Sequence, residues 1–407
     1  MRSAVRLLCV LLLLTASAWG ADPAILRGVY SDWSVVLQTA GSEAGIPAAT
    51  TRRIQSMSRT NVNLVWWTNL PDDPVRLAQI VRESRTLGIE IVAGSGRWYA
   101  GARSASQQIA TLTALNAALP ADARPWRWSL GDETTPAALT DLRTIADACA
   151  TAGIPTAMVQ VPEYHAQTLT TLGNRVPVVS CDVYPFFQPN LPSNPPYGPA
   201  ALTWFKTTAD ATVGRSLQVG VRPLLMTQGF GGDATFAMPT PARTRWQVWS
   251  AVASGSPGAI VFAHGMPSPD GGPTPPMASL VDWQRTTETL TPAGIAVRDT
   301  FTRVKSIESL IAGSTIETGP AITLPAAGDV SAYVRMSNGK RLLLVVSDPD
   351  QPTRSLKMTL PGVAGVTPLA GSTGGTFTVL PWPWFYFFPG TMSVTLPAGE
   401  AWIGELR

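Results

Sequence analysis

Val178-Val179-Ser180-Cys181-Asp182-Val183-Tyr184-Pro185-Phe186 is the stretch on which the fold turns. It is a nearly continuous apolar run, as parallel strands covered on both faces require, and not the alternating pattern of a half-wet strand. Similar runs recur at Gly28–Asp32, Val62–Trp67, Ile89–Gly94, Trp126–Glu133, Thr156–Val161, Leu224–Phe230 and Ala259–His264. Helical stretches are expected between them, over Ala49–Ser58, Pro74–Leu87, Ser104–Ala118, Pro136–Ala152, Pro199–Val213, Thr240–Ser254 and Met277–Thr289. Strands repeating at roughly 33 residues predict an α/β protein, a (β/α)8 TIM barrel over residues 21–314. A doubly wound open sheet is the rival, but no Gly-rich nucleotide turn follows the first strand.

Beyond residue 315 the pattern changes. Val330–Met336, Arg341–Val346, Ser355–Leu360, Thr376–Leu380 and Met392–Leu396 read as short strands punctuated by Gly, Pro, Asp and Asn. Residues 315–407 are therefore expected to form a small all-β sandwich domain, one face of it able to pack on the barrel. The aromatic run Trp382 to Phe388 is either a sugar-stacking platform or, the plainer reading, an interface or hairpin core.

The start of the chain, residues 1–20, reads as a signal peptide. Arg2 and Arg6 precede the short apolar run Leu7–Leu14, and Ala18-Trp19-Gly20 offers a cleavage site. The alternative is an uncleaved anchor. The protein is accordingly expected to be secreted or periplasmic, with no membrane span after cleavage. Loss of the two arginines lowers the formal charge from +3 to about +1, which gives no reason to expect nucleic acid as a partner. Oligomeric state is not legible. Cys149 and Cys181 read as buried apolar residues, with a single bridge as the alternative. With two His in the chain, a His-rich metal site is not expected, and no cofactor is implied.

In a barrel the chemistry collects at the C-terminal strand ends. The fourth strand runs out through Trp126-Arg127-Trp128-Ser129-Leu130-Gly131-Asp132-Glu133. Glu133 is the first choice for a general acid, its pKa raised by partial burial beside aromatic rings. The plainer reading makes Asp132 and Glu133 caps of the next helix. Asp182 lies in an otherwise apolar strand, where a carboxyl is costly unless paired or used. It is the second catalytic carboxylate, or else half of a buried ion pair. Asp32, Trp67, Trp98, Asp132, Tyr184, Gln228 and His264 are expected to bind substrate, because aromatic faces stack on sugar rings while polar groups bond the hydroxyls. The Pro-rich loops Gln188–Gly198 and Met266–Pro276 follow strands six and eight and are expected to wall the cleft. None of the four Lys falls at a strand end, which argues against a Schiff-base lyase.

The block Trp128-Ser-Leu-Gly-Asp-Glu133, with Asp182-Val-Tyr-Pro185, Gln228-Gly-Phe230 and Arg245–His264, resembles bacterial barrels near the beta-galactosidases of glycoside hydrolase family 42. The resemblance implies a clan A glycosidase with its acid/base Glu at the end of strand four, usually after an Asn. Glu133 matches that position, and Asp132 replaces the Asn. It also implies a nucleophilic Glu at the end of strand seven, where this chain has Gln228. Either Asp182 supplies the second carboxylate of a glycosidase acting on oligo- or polysaccharides, or the barrel binds carbohydrate without cleaving it. A structural cell-surface protein with no ligand is the third reading.

Overall fold

The computed structural model describes residues 24–95, 103–187, 198–233, 235–265, 278–284, 287–317, 324, 326, 328–336, 338–360, 363–369, 371–372, 375–378 and 390–407. Eight parallel strands close into a barrel in chain order: β1 Leu26–Asp32, β2 Leu64–Thr68, β3 Glu90–Ala93, β4 Arg127–Ser129, β5 Thr156–Gln160, β6 Val178–Val183, β7 Arg222–Gln228 and β8 Gly258–Phe262. Helices α1 Trp33–Ala40, α2 Ile46–Ser58, α3 Pro74–Thr86, α4 Ala105–Ala118, α5 Leu139–Thr151, α6 Pro162–Leu172, α7 Pro199–Gln218 and α8 Pro241–Ala253 connect them. The barrel interior is filled by Leu26, Tyr30, Leu64, Trp66, Val92, Val159, Leu224, Met226 and Ile260, so it is a packed core with a mouth and not a pore. Opposite-facing strand residues such as Val29, Val65, Ile91 and Val179 meet the helices instead.

Two of these helices escaped sequence reading although both carry start signals. Asp32 caps α1 through its side chain, and Pro162 stands at the first position of α6. The helix expected over Met277–Thr289 is not there. Two strands stand there instead, β9 Val281–Gln284 paired antiparallel with β10 Thr287–Leu290. The helix starts later, as α9 Pro292–Ser306, where Thr291 caps it by accepting from the Gly294 amide. Alternating Val, Trp and Thr residues suit the pleat, and the Thr-Pro start lies just past it. Cys149 and Cys181 are free and buried. No described helix is long and apolar enough to cross a membrane.

After the short α10 Glu308–Ile311, β11 Thr315–Glu317, β12 Val330–Arg335, β13 Arg341–Val346, β15 Val366–Pro368 and β18 Ala401–Leu406 make a five-stranded sheet in the order β11-β12-β13-β18-β15. A three-stranded sheet of β14 Arg354–Leu360, β17 Gly390–Leu396 and β16 Gly375–Thr378 covers one of its faces. Leu343, Val345, Leu356, Met358, Val394 and Trp402 fill the space between the two sheets. The other face of the larger sheet, with Val330, Leu342, Leu344 and Ile403, continues the core that surrounds the barrel. Polar bonds pin the joint: Trp246 Nε1 donates to Gly328 O at 2.6 Å, and Glu400 pairs with Arg245 and Arg303 at 2.9 and 2.6 Å. The aromatic run at 382–388, both cleft loops and residues 1–23 lie outside the described residues.

Because Leu344 belongs to the core continuous with the barrel, Leu344→Ala is expected to destabilise the whole molecule by about 2–5 kcal/mol in one transition. Denaturant unfolding followed at barrel and sandwich tryptophans checks this. Separate transitions for the two parts would contradict it.

Candidate active site

The mouth is shaped first by the turn that ends β4. Regular pairing stops at Ser129, and the chain beyond it runs on irregularly alongside β5 as far as Glu133. Leu130 N donates to Ala157 O, Val159 N to Gly131 O and Glu133 N to Val159 O, at 2.9, 3.1 and 3.2 Å. Gln160 Nε2 holds Thr134 O at 2.9 Å. A Cβ on Gly131 would stand 2.3 Å from Thr134 Oγ1, so the turn closes only around glycine. Glu133 itself adopts a left-handed backbone, φ 49°, a strain of about 1–3 kcal/mol that tends to be retained at functional sites.

This turn separates the two acids. Glu133 is exposed at the rim, while Asp132 is half-buried and accepts a hydrogen bond from Tyr30 Oη at 2.7 Å. Burial, opposed by that bond and reinforced by the Glu133 charge, raises the Asp132 pKa to about 6. Asp182 is brought to the same place from β6 and is 7% exposed. Its carboxyl meets the Glu133 carboxyl and the Tyr184 hydroxyl, and its Oδ1 has no hydrogen-bond partner. Burial above all, then the charges of Asp132 and Glu133, hold the Asp182 pKa well above the usual carboxylate range. The Tyr184 hydroxyl works the other way, favouring the charged form. No Arg, Lys or His figures among the causes of either shift. The ion pair that would have made Asp182 structural is therefore absent among the described residues. The burial expected of Glu133 falls on Asp132 and Asp182 instead.

Aromatic rings stand beside these acids. Tyr184 lies 5.1 Å from Phe230 and 5.8 Å from Phe262, centroid to centroid, and Tyr30 lies 4.6 Å from Phe262. Tyr184 is a predicted site residue. Phe230 and Phe262, at or just beyond the ends of β7 and β8, are ring neighbours that the sequence pattern does not distinguish from core.

The remaining predicted residues divide. Asp32 reaches the mouth end of β1, but its carboxylate is engaged: Oδ1 accepts from Ser34 N at 2.7 Å and Oδ2 from Asn69 Nδ2 at 2.8 Å. Trp67 is fully buried among the surrounding helices, its ring 5.8 Å from that of Trp33, and cannot stack on a sugar. Trp98 lies outside the described residues. His264 is fully buried, and burial together with the charges of Arg53 and Arg59 holds its imidazole well below the usual pKa. Gln228 is also fully buried. Its Nε2 donates to Phe186 O, Phe230 O and Ala237 O at 3.0, 3.1 and 2.9 Å, while its Oε1 accepts from Phe186 N at 2.9 Å. That amide ties the segments following β6 and β7 together and has no capacity left for a sugar hydroxyl. A charged glutamate at position 228 would point an anion at three carbonyl oxygens. No set of three or more His, Cys, Asp or Glu side chains among the described residues is arranged to hold a metal.

No family model matches this chain, and no curated protein matches its sequence. Among solved structures it is similar to the family 51 arabinofuranosidase from Xanthomonas axonopodis pv. citri, with a TM-score of 0.51 and 12% identity over 87% of this chain and 89% of that one. It is similar to AbfB, a family 51 alpha-L-arabinofuranosidase from Bifidobacterium longum, with a TM-score of 0.51 and 15% identity over 95% and 96% of the two chains. SrfJ from Salmonella typhimurium gives 0.53 and 8% over 95% and 91%. At such identities the likeness is one of fold: a TIM barrel with a C-terminal β domain, the architecture of the two family 51 enzymes.

Two outcomes follow from the geometry. Gln228→Glu is expected to cost about 3 kcal/mol or more, because three buried carbonyls lose their donor and face a charge. A gain of stability, or a new glycosidase activity, would contradict this. Asp182 binds its proton more tightly folded than unfolded, so its penalty is absent at low pH and grows as pH rises above the ordinary carboxyl value. Asp182→Asn is therefore expected to stabilise the fold, with a gain larger at about pH 8 than at about pH 4. Thermal unfolding at both pH values reads this, and a loss of stability at the higher pH would reverse the reading.

Proposed function

We propose that this chain is a glycoside hydrolase, secreted or periplasmic, that cleaves O-glycosidic bonds with Glu133 as general acid and Asp182 as nucleophile or base. A kinship with the family 42 beta-galactosidases belongs to the same proposal. The observation that carries it is the contact of Glu133 and Asp182 at the barrel mouth with no cation between them. Burial and the neighbouring charges of Asp132 and Glu133 favour the protonated form of Asp182, so a proton is held beside Glu133. One protonated and one ionised carboxyl is the state both glycosidase mechanisms need: an acid for the leaving oxygen, and a carboxylate to attack or to activate water.

Sequence reading set the two acids on opposite sides of the sugar bond. Here Glu133 lies close enough to Asp182 to raise its pKa by charge and side-chain hydrogen bonding, whereas the carboxyls of a retaining pair flank the sugar bond ~5–5.5 Å apart and those of an inverting pair ~6.5–9.5 Å. Substrate must therefore part them. Glu133 is the one with room to move, being exposed on a turn, whereas Asp182 is fixed within a barrel strand. When the sugar enters, Asp182 passes its proton to Glu133, and Glu133 delivers it to the leaving oxygen. Asp182 stays behind ionised, its charge supported by the Tyr184 hydroxyl. Asp132, held by Tyr30, and the aromatic rings beside it complete the cleft.

One observation favours the second reading, a barrel that binds carbohydrate without cleaving it. The strand-seven position that carries the nucleophile in the resembling enzymes holds Gln228, whose amide is consumed by the backbone.

Screening on oligosaccharides and aryl glycosides separates the two. Glu133→Gln and Asp182→Asn are each expected to lower kcat on an oligosaccharide by about 10²–10⁴-fold. Glu133→Gln should lose much less on aryl glycosides whose leaving group needs no proton, whereas Asp182→Asn should lose on both. Hydrolysis untouched by both substitutions would remove the assignment, and binding without turnover by the unaltered protein would favour the second reading.

A further inference from the structure

The described mouth is anionic and aromatic at once. Asp132, Glu133 and Asp182 stand close enough for each to perturb the next. Asp182, more than nine-tenths buried, leaves Oδ1 without a hydrogen-bond partner. A buried acceptor of this kind is costly unless a donor arrives, and a cationic donor answers both the missing bond and the surplus negative charge. The rings of Tyr184, Phe230 and Phe262 beside it add faces that attract a cation.

Among the described residues, Arg53, His264 and Arg243 near this end of the barrel are already engaged or uncharged. Arg53 on α2 is fully buried against Glu288 and Ser31 and lies behind Gly265. His264 beside it is held uncharged. Arg243 stacks on Phe186 and pairs with Asp350. From β1, Tyr30 donates to Asp132, and Asp32 is a further acid already capping α1. Among the described residues no three His, Cys, Asp or Glu side chains are arranged to hold a metal ion.

We infer that the glycan taken at this mouth carries a free ammonium group, an N-deacetylated amino sugar, with Asp182 as the group that selects it and Asp132 and Glu133 completing the anionic wall. The inference rests on the glycosidase reading and narrows its substrate class. A uronic acid is repelled by the same three carboxyls. A neutral hexose leaves the charge unanswered.

The test is calorimetric binding of four oligosaccharide probes of matched length: glucosamine oligomers, their N-acetylated counterparts, cello-oligosaccharides and galacturonate oligomers. The glucosamine oligomers are expected to bind at least about tenfold tighter than either neutral set, and the galacturonates not at all. Asp182→Asn should reduce that preference to near parity in a variant whose thermal unfolding transition shows that it is folded. Equal or tighter binding of the neutral or N-acetylated sets, or a preference that survives in the variant, overturns the inference. Turnover of a neutral glycan would leave the hydrolase reading standing while the inference fell. Failure of every glycan to bind overturns both.

Discussion

Everything at this site follows from placing carboxyls in a low-dielectric mouth without a cation to balance them. A buried charge is expensive, and the usual remedies are a salt bridge, a metal, or a retained proton. The first two are not found here among the described residues, which leaves the third. Asp182 is the extreme case. It sits on a fully buried barrel strand otherwise made of Val, Ser and Cys, and its neighbours in space are two more acids and a phenol. Such a group lowers the stability of the fold at neutral pH, and the surrounding core has to make good the loss.

The scaffold is built to bear that cost. The β4–β5 turn is fixed by backbone bonds and by Gln160, which holds a left-handed Glu133 in place. Gln228 does comparable work across the barrel, spending a full side-chain amide to tie down the segments after β6 and β7. Both glutamines are fully buried and every contact named for them is internal, so they position the mouth without touching what enters it. The continuous core joining barrel to sandwich supplies the stability against which the strained and charged elements are set.

The sequence made the barrel legible because its strands are buried on both faces and read as apolar runs of similar spacing. It was less clear about α1, α6 and β18. The first two are short and begin immediately after strands, so their start signals fell inside the strand signal. The β9–β10 pair was taken for helix because its apolar residues are too few to fix a period. Of the site, Glu133, Asp182, Asp132 and Tyr184 were legible as polar residues at strand ends, and they do meet. Trp67 and His264 share that sequence position but face the helices, which pattern alone does not reveal. Gln228 shows the same limit more sharply. Its place on the strand is the expected one, yet loops distant in sequence have claimed its amide. Phe230 and Phe262 passed unnoticed because apolar residues near strand ends look like ordinary core.

The central claim is that Asp182 keeps its proton beside Glu133 when ordinary carboxyls have lost theirs. Carbon-13 NMR of the aspartate side chains, with Asp182→Asn to assign the resonance, follows that proton directly. A titration midpoint for Asp182 far above the usual carboxyl value, brought down by Glu133→Gln, is the expected result. A single unperturbed step near about pH 4 would mean that the carboxyl is solvated and ionised, and the retained proton would not exist.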